Sequence, residues 1–358
     1  MNKPSFAIIG AGNGGHAFAA HLALMGASIS LWDIEKEKIE LLRKKGNIEV
    51  TGAIKGIGEG ILFTEDIGEA VKGKDIIMVV VPSCYHAGIA ELLAPVVADG
   101  QIIIINTCAT GSSLEFRVVF NKLGVKAKVI FSETDTLLYA CRSVETGQVN
   151  IFGIKARIDF ATLPACEVEN VAVLIQQFFP QFTPVSNVLY VSMNNANSIC
   201  HPSPALLNTA RIEGASPFQF YIDGVTPAVG TLMEKSDEER LAVGAALGLE
   251  LISLKGLYEL HYNIYKDTLW EAMTSTPSYK GIMGPTTMDN RYMFEDIPMG
   301  LVPMISLGDA LGVPMPVSKL IVELANIIMK KNYWKEGRNV EKLGLKGLSA
   351  EEMIASVL

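Results

Sequence analysis

Phe6-Ala7-Ile8-Ile9-Gly10-Ala11-Gly12-Asn13-Gly14-Gly15 is the stretch that decides the fold. Four apolar residues of strand character run into a glycine-rich turn. The helix-forming run His16-Ala17-Phe18-Ala19-Ala20-His21-Leu22-Ala23-Leu24 follows. Strand, glycine turn and helix in this order make a dinucleotide-binding fingerprint. Gly10 permits the tight turn, Gly12 lets backbone approach a pyrophosphate, and Gly15 lets the helix pack close to the strand. Asn13 and Gly14 complete the phosphate-facing turn, where the helix N-terminus offers N–H groups and the positive end of its dipole.

A glycine turn alone is a weak signal, and the context strengthens it. Ser28-Ile29-Ser30-Leu31-Trp32-Asp33 reads as a second strand ending in an acid. Asp33 lies close to the spacing at which a carboxylate binds the adenosine ribose hydroxyls. The same charge repels a 2′-phosphate, so NAD(H) is favoured over NADP(H). Lys36 and Lys38 follow closely and offer a phosphate an alternative partner.

Working outward, Asp75-Ile76-Ile77-Met78-Val79-Val80-Val81-Pro82 and Gln101-Ile102-Ile103-Ile104-Ile105-Asn106 are continuous apolar runs. Such runs suit parallel strands covered on both faces by helices. A helical pattern separates them (Ile89, Leu92, Leu93, Val96, Val97), and residues 127–131 and 149–162 look extended. Repeated βα units predict an α/β, doubly wound, Rossmann-type parallel sheet over residues 1–185. Ligands of such sheets bind beyond the carboxyl ends of the strands. That puts the turns at Pro82-Ser83, Asn106-Thr107 and Ser132-Glu133-Thr134 around one crevice, with Pro82 and Asn106 as cofactor contacts.

Beyond about residue 185 the texture becomes helical. Helices are expected over 188–197, 236–247, 251–262, 304–311 and 316–331, making 186–358 a mainly α-helical second domain. Ser349 and Glu352 have the capping-box spacing that starts a last helix on that domain.

The 358 residues suit roughly two domains. Hydrophobic residues make up 49% and mean hydropathy is +0.30, yet no apolar run approaches the roughly 18 residues of a membrane span. The net charge of −8 and the lack of a basic tract argue against nucleic acid or anionic membrane partners. Five widely spaced cysteines without a C-x-x-C pattern indicate neither a metal site nor a disulfide framework, and fit a reducing cytoplasm.

Histidine moves most catalytic protons near neutral pH, and this chain has five. His16 and His21 fall in the first helix, with His16 expected near the pyrophosphate. His86 begins a helix beside the crevice, and His261 sits in an aromatic helix. His201 differs: an amide-rich segment, Asn194-Asn195-Ala196-Asn197-Ser198-Ile199-Cys200, ends at His201-Pro202, where proline breaks helical continuity. Those polar residues suit a cleft, although a hydrogen-bonded structural histidine is the plain alternative. The second cluster is Asp289-Asn290-Arg291-Tyr292-Met293-Phe294-Glu295-Asp296. Arg291 can clamp a carboxylate through a bidentate pair, and Glu295 or Asp296 can orient a histidine. A solvated charged turn is the alternative there.

The chain resembles the opine dehydrogenase family (octopine and nopaline dehydrogenases), most of all the bacterial N-(1-carboxyethyl)-norvaline dehydrogenase type. The likeness runs through Gly10–Ala20, Glu133–Arg142 (ETDTLLYACR), His201-Pro202, Pro217-Phe218-Gln219-Phe220-Tyr221, Arg291-Tyr292 with Phe294-Glu295-Asp296, and the late Lys335-Glu336-Gly337-Arg338. The resemblance implies a reaction in which an amino acid amine condenses with a 2-keto acid, usually pyruvate, and NAD(P)H reduces the imine. It implies His201 as the catalytic histidine, Asp296 as its partner, Arg291 as a substrate-binding arginine, and Thr136 and Cys141 at the substrate or cofactor cleft. It also implies a homodimer. The turn Thr107-Cys108-Ala109-Thr110-Gly111 lacks the glutamine that octopine dehydrogenase carries near there, so an arginine-type amino acid is not assigned. Two other readings stand beside this one. One is a reductase of the ketopantoate or glycerol-3-phosphate dehydrogenase kind, which uses a catalytic lysine. The other is a non-catalytic NAD(H) sensor.

Overall fold

A computed structural model describes residues 3–358. The chain divides into two compact units. One runs to Ser192 and takes back Val357–Leu358; the other is Met193–Ser356. The division falls at Ser192, within the helix Val188–Asn194. The reason is local: the helix Val188–Asn194 begins inside the first unit, where the Ser192 hydroxyl bonds to Glu133 at 2.5 Å and accepts from the Gly111 N–H.

Among the described residues the first unit holds twelve strands: β1 (Phe6–Ile9), β2 (Ile29–Trp32), β3 (Ile48–Gly52), β4 (Gly56–Gly58), β5 (Ile61–Thr64), β6 (Ile76–Val79), β7 (Ile102–Ile105), β8 (Ile130–Thr134), β9 (Tyr139–Glu145), β10 (Gln148–Ile154), β11 (Ile158–Leu163) and β12 (Phe182–Pro184). The main sheet has eight strands in the order β12-β11-β8-β7-β6-β1-β2-β5. From β5 to β8 every pairing is parallel; β11 runs antiparallel to β8. Strand order reverses between β1 and β6, so the ligand crevice of a doubly wound sheet opens at their carboxyl ends. The four isoleucines of β7 are at most 4% exposed. Each buried isoleucine contributes about 1.5–3 kcal/mol, so a run like this belongs at a sheet centre.

A second sheet, β4-β3-β10-β9, is an addition that the βα pattern did not announce. Between the two sheets lies the helix Asn13–Leu24, which packs against β1, β2, β3, β4, β9 and β10. This explains its apolar residues on nearly every face. Its polar side chains seat the added hairpin. Asn13 Oδ1 accepts from the Ser143 N–H at 2.8 Å, His16 Nε2 from the Gly147 N–H at 3.0 Å, and His21 Nδ1 pairs with the Tyr139 hydroxyl at 2.9 Å. His16 therefore braces the turn at Gly147. Its other nitrogen bonds to the Gly12 carbonyl, and burial lowers its pKa, keeping the ring neutral.

The second unit is helical. Its longest helix, Pro227–Ala246, carries Arg240, which is fully buried. The guanidinium bonds to Asp237, to the Met193 carbonyl at 2.7 Å and to the Ile252 carbonyl at 2.6 Å, so its charge is paired and each of its three nitrogens has an acceptor. The terminal helix Ala350–Ala355 has the expected capping box from Ser349 and Glu352. The two residues after Ser356 behave differently from expectation: Val357 is fully buried in the first unit, and its carbonyl accepts from the Ala165 N–H at 3.0 Å. Among the described residues no helix is long and apolar enough to cross a membrane.

Candidate active site

The glycine turn is built as its spacing predicts. Gly10 has φ +108°, and a Cβ there would lie 2.5 Å from Val81 and 2.8 Å from the Val80 carbonyl. A Cβ on Gly15 would stand 1.8 Å from the Gly10 oxygen, and one on Gly14 2.8 Å from Val80. These three positions bring helix, turn and the residues that follow β6 into contact. Gly12 is different: a Cβ there would meet nothing within 4 Å. Open space thus lies in front of the turn, where helix geometry leaves the N–H groups of Asn13, Gly14 and Gly15 without intrahelical acceptors. This is the cradle a pyrophosphate fits.

Asp33 is 7% exposed at the end of β2. Its carboxylate accepts from the Ala11 N–H at 2.7 Å and the Glu35 N–H at 2.9 Å, and Lys38 lies at 3.3 Å. Asp33 therefore ties the second strand to the glycine turn. At the end of β7, the Asn106 amide donates to the Ile104 carbonyl at 3.0 Å, while its Oδ1 is buried with no partner among the described residues. An orphaned buried acceptor beside the strand ends suits a ribose or amide donor of a bound dinucleotide. Pro82 leads from β6 into the short helical turn Ser83–Tyr85.

Thr136 and Cys141 also belong to this first unit. The Thr136 hydroxyl accepts a hydrogen bond from Lys155, a residue the sequence did not single out. Beside it, burial and the neighbouring Asp159 push the Asp135 carboxyl up to about 7. Burial pushes the Cys141 thiol up to about 11, so it stays protonated and is not a nucleophile near neutrality.

The second unit brings together residues far apart in sequence. The helical segment breaks after Asn194, resumes at Asn197–Cys200, and breaks again at His201, because Pro202 starts a new helix. His201 sits at that joint and is 7% exposed. From the other side, Asp296 precedes a π-helical turn, Ile297–Leu301. Gly300 lets that turn approach closely, since a Cβ there would lie 2.5 Å from the Ser198 side chain. The result is a pair 95 residues apart, His201 Nδ1 to Asp296 Oδ2 at 2.7 Å.

The carboxylate fixes the imidazole tautomer: Nδ1–H donates to Asp296, and Nε2 presents its lone pair. Nε2 in turn lies 2.9 Å from the Tyr221 hydroxyl, whose pKa burial raises well above the usual value, so the phenol donates. The Tyr292 ring covers the imidazole at 4.4 Å, and Phe220 stacks on Tyr292 at 4.7 Å. Glu295 takes the other role open to the acidic pair, forming an ion pair with Arg291 Nε at 2.8 Å. The Arg291 side chain is 56% exposed, so its guanidinium is reachable. Reasoning from sequence assigned no role to Tyr221 or Tyr292. Both lie inside the segments that carried the resemblance, which was the available signal.

Comparison with known proteins agrees with this layout. The model of the NAD/NADP octopine/nopaline dehydrogenase α-helical domain matches residues 184–329. A model of the NAD-dependent glycerol-3-phosphate dehydrogenase N-terminus matches residues 5–114, confining that likeness to the nucleotide-binding part. An opine dehydrogenase of Arthrobacter sp. (strain 1C) is 43% identical over 358 residues, spanning 100% of this chain and 99% of the relative. An octopine dehydrogenase of Mizuhopecten yessoensis is 28% identical over 77% of this chain and 75% of its own. Among solved structures, octopine dehydrogenase in complex with NADH and agmatine superposes with a TM-score of 0.83 at 20% identity, over 98% of each chain, which bears on the fold. The chain belongs to the opine dehydrogenase family, NAD(P)-dependent oxidoreductases acting on a CH–NH bond.

Proposed function

We propose that this enzyme uses NADH in preference to NADPH to join an amino acid to a 2-keto acid, pyruvate in the first instance. His201 and Asp296 serve as its acid–base pair. The observation that carries this reading is the buried 2.7 Å contact between His201 and Asp296. Forming a carbinolamine and expelling its hydroxyl as water require a group that both takes and gives protons, and imidazole does both near neutrality. A carboxylate on Nδ1 orients the ring and stabilises its protonated form. Arg291, paired through Nε with Glu295, has the Nη fork with which guanidinium grips the keto acid carboxylate. Thr136 and Cys141 are proposed substrate contacts.

When bound, the nicotinamide supplies the hydride that reduces the imine. Gly10, Gly12, Asn13, Gly14 and Gly15 would hold the pyrophosphate, Asp33 the adenosine ribose, and Pro82 and Asn106 the far end of the dinucleotide. The preference for NADH is supported by Lys38, which is shared between Asp33 and Glu35 and so is already committed, leaving the three groups net negative. The Asp33 carboxylate would repel a 2′-phosphate. The solved relatives include octopine dehydrogenase with NADH and pyruvate, and a yersinopine dehydrogenase with NADP+, so both cofactors occur on this fold. A homodimeric, cytoplasmic enzyme belongs to the same reading, on the resemblance and the cysteine spacing alone.

The test is oxidation of NADH and of NADPH with pyruvate, alone and with a panel of amino acids, followed by mass spectrometry of the adducts. Turnover should depend on the amine, favour NADH and yield N-(1-carboxyethyl) amino acids. His201→Ala should abolish it while NADH still binds. Equal turnover without any amine would sink the proposal.

A further inference from the structure

Both ring nitrogens of His201 are taken. Nδ1 is on Asp296 at 2.7 Å and Nε2 on the Tyr221 hydroxyl at 2.9 Å. The Tyr292 ring covers one face at 4.4 Å. A proton leaving the imidazole must therefore pass to Asp296 or to Tyr221. Passing it to Asp296 would discharge the carboxylate that supports the ring. We propose that Tyr221 is a further catalytic residue, whose phenol relays the proton between His201 Nε2 and the substrate oxygen that leaves as water. This rests on the assignment of His201 and Asp296 as the acid–base pair.

A hydroxyl suits the task because it donates one proton and accepts on its lone pairs at the same time. Buried phenol resists becoming phenolate, and the Tyr221 pKa lies well above its usual value. The two transfers are therefore concerted. Nε2–H passes its proton to the Tyr221 oxygen as the Tyr221 O–H gives its own to the carbinolamine hydroxyl. The C–O bond breaks with its electron pair leaving on water, the amine lone pair closes the C=N bond, and the imidazolium becomes neutral imidazole. The product is the protonated imine that accepts hydride. Run backwards, the same path takes up the proton that the amino acid ammonium must shed before its nitrogen attacks. Tyr221 is held for this by stacking on Tyr279 at 4.2 Å and by an edge contact with Phe220 at 5.0 Å, which orient the ring independently of its hydroxyl.

The experiment is Tyr221→Phe, which removes one oxygen and keeps both ring contacts. In the condensation assay kcat is expected to fall about 100-fold, the low end for a lost proton-transfer group, with the KM for NADH unchanged. The isotope effect with NADH deuterated at the transferred position should fall toward one, because proton transfer becomes slower than hydride transfer. Placing 3-fluorotyrosine at 221 restores a hydroxyl and should restore kcat. The relay is overturned by a kcat within about twofold of the parent, by a lowered kcat that keeps or increases the isotope effect, or by no recovery with fluorotyrosine. His201→Ala run in parallel separates the two readings. Turnover surviving in that variant refutes the acid–base pair itself, whereas loss there with Tyr221→Phe unaffected refutes only the relay.

Discussion

Two glycines of one turn should respond to the same substitution in opposite ways. In Gly15→Ala the new Cβ would lie 1.8 Å from the Gly10 oxygen and 2.9 Å from its carbonyl carbon. Both are backbone atoms, so no side chain can swing aside, and the helix must lift by more than an ångström. Overpacking costs typically 1–3 kcal/mol where neighbours can adjust; with backbone against backbone about 3 kcal/mol or more is expected. For a unit of this size each kcal/mol lowers Tm by about 2–4 °C, so the loss should be about 6–12 °C. In Gly12→Ala the Cβ meets nothing, and the backbone at φ −83° and ψ −165° suits any residue. The small penalty for alanine at a helix N-cap opposes a gain of about 0.4–1 kcal/mol from restricting the unfolded chain, so Tm should barely move. Yet that methyl occupies the space argued to receive the pyrophosphate. Losing one charge-assisted hydrogen bond, about 1.5–3 kcal/mol, weakens NADH binding about 10- to 100-fold. Thermal melting without nucleotide and a fluorescence titration with NADH measure both effects. A Gly12→Ala protein that binds NADH like the parent would refute the cradle. A Gly15→Ala protein that melts like the parent would refute the close helix–strand approach.

Two further outcomes follow from the same structure. Asp296→Asn removes the charge from the 2.7 Å contact with His201 and should lower kcat about 10- to 100-fold, from the 1.5–3 kcal/mol of a charged hydrogen bond, with NADH affinity intact; an unchanged kcat would exclude the pair from the mechanism. Asp135, raised to about 7 by burial and then by Asp159, holds its proton in the folded protein while the unfolded chain loses it near pH 4. Stability from this group is therefore fully present below about pH 4 and is lost as pH rises toward 7, by at most roughly 4 kcal/mol. Asp135→Asn, whose side-chain oxygen can still accept from the Asp159 N–H, should flatten that part of a denaturation-versus-pH profile; an unaltered slope would show that Asp135 does not titrate there.

The cofactor-binding half of this protein was legible in consecutive residues. A glycine at φ +108°, a glycine with open space before it and a glycine against a carbonyl are requirements of local geometry, and they leave their mark at fixed spacing. The isoleucine runs likewise declared the buried parallel strands. The sequence also put forward His201 and the Arg291–Asp296 segment, which the structure brings into contact, and a resemblance that named the family.

What it left open was decided by packing between distant segments. Either Glu295 or Asp296 could have met the histidine. The turn at Ile297–Leu301 and the close approach at Gly300 aim Asp296 at His201 and leave Glu295 to Arg291. Tyr221 on Nε2, the hairpin seated by Asn13 and His16, and the return of Val357 to the first unit are of the same kind. Backbone conformation is constrained by neighbours in the chain, so sequence alone can fix it. A side chain's partner is chosen by which surfaces fold together, and only the tertiary structure makes that choice.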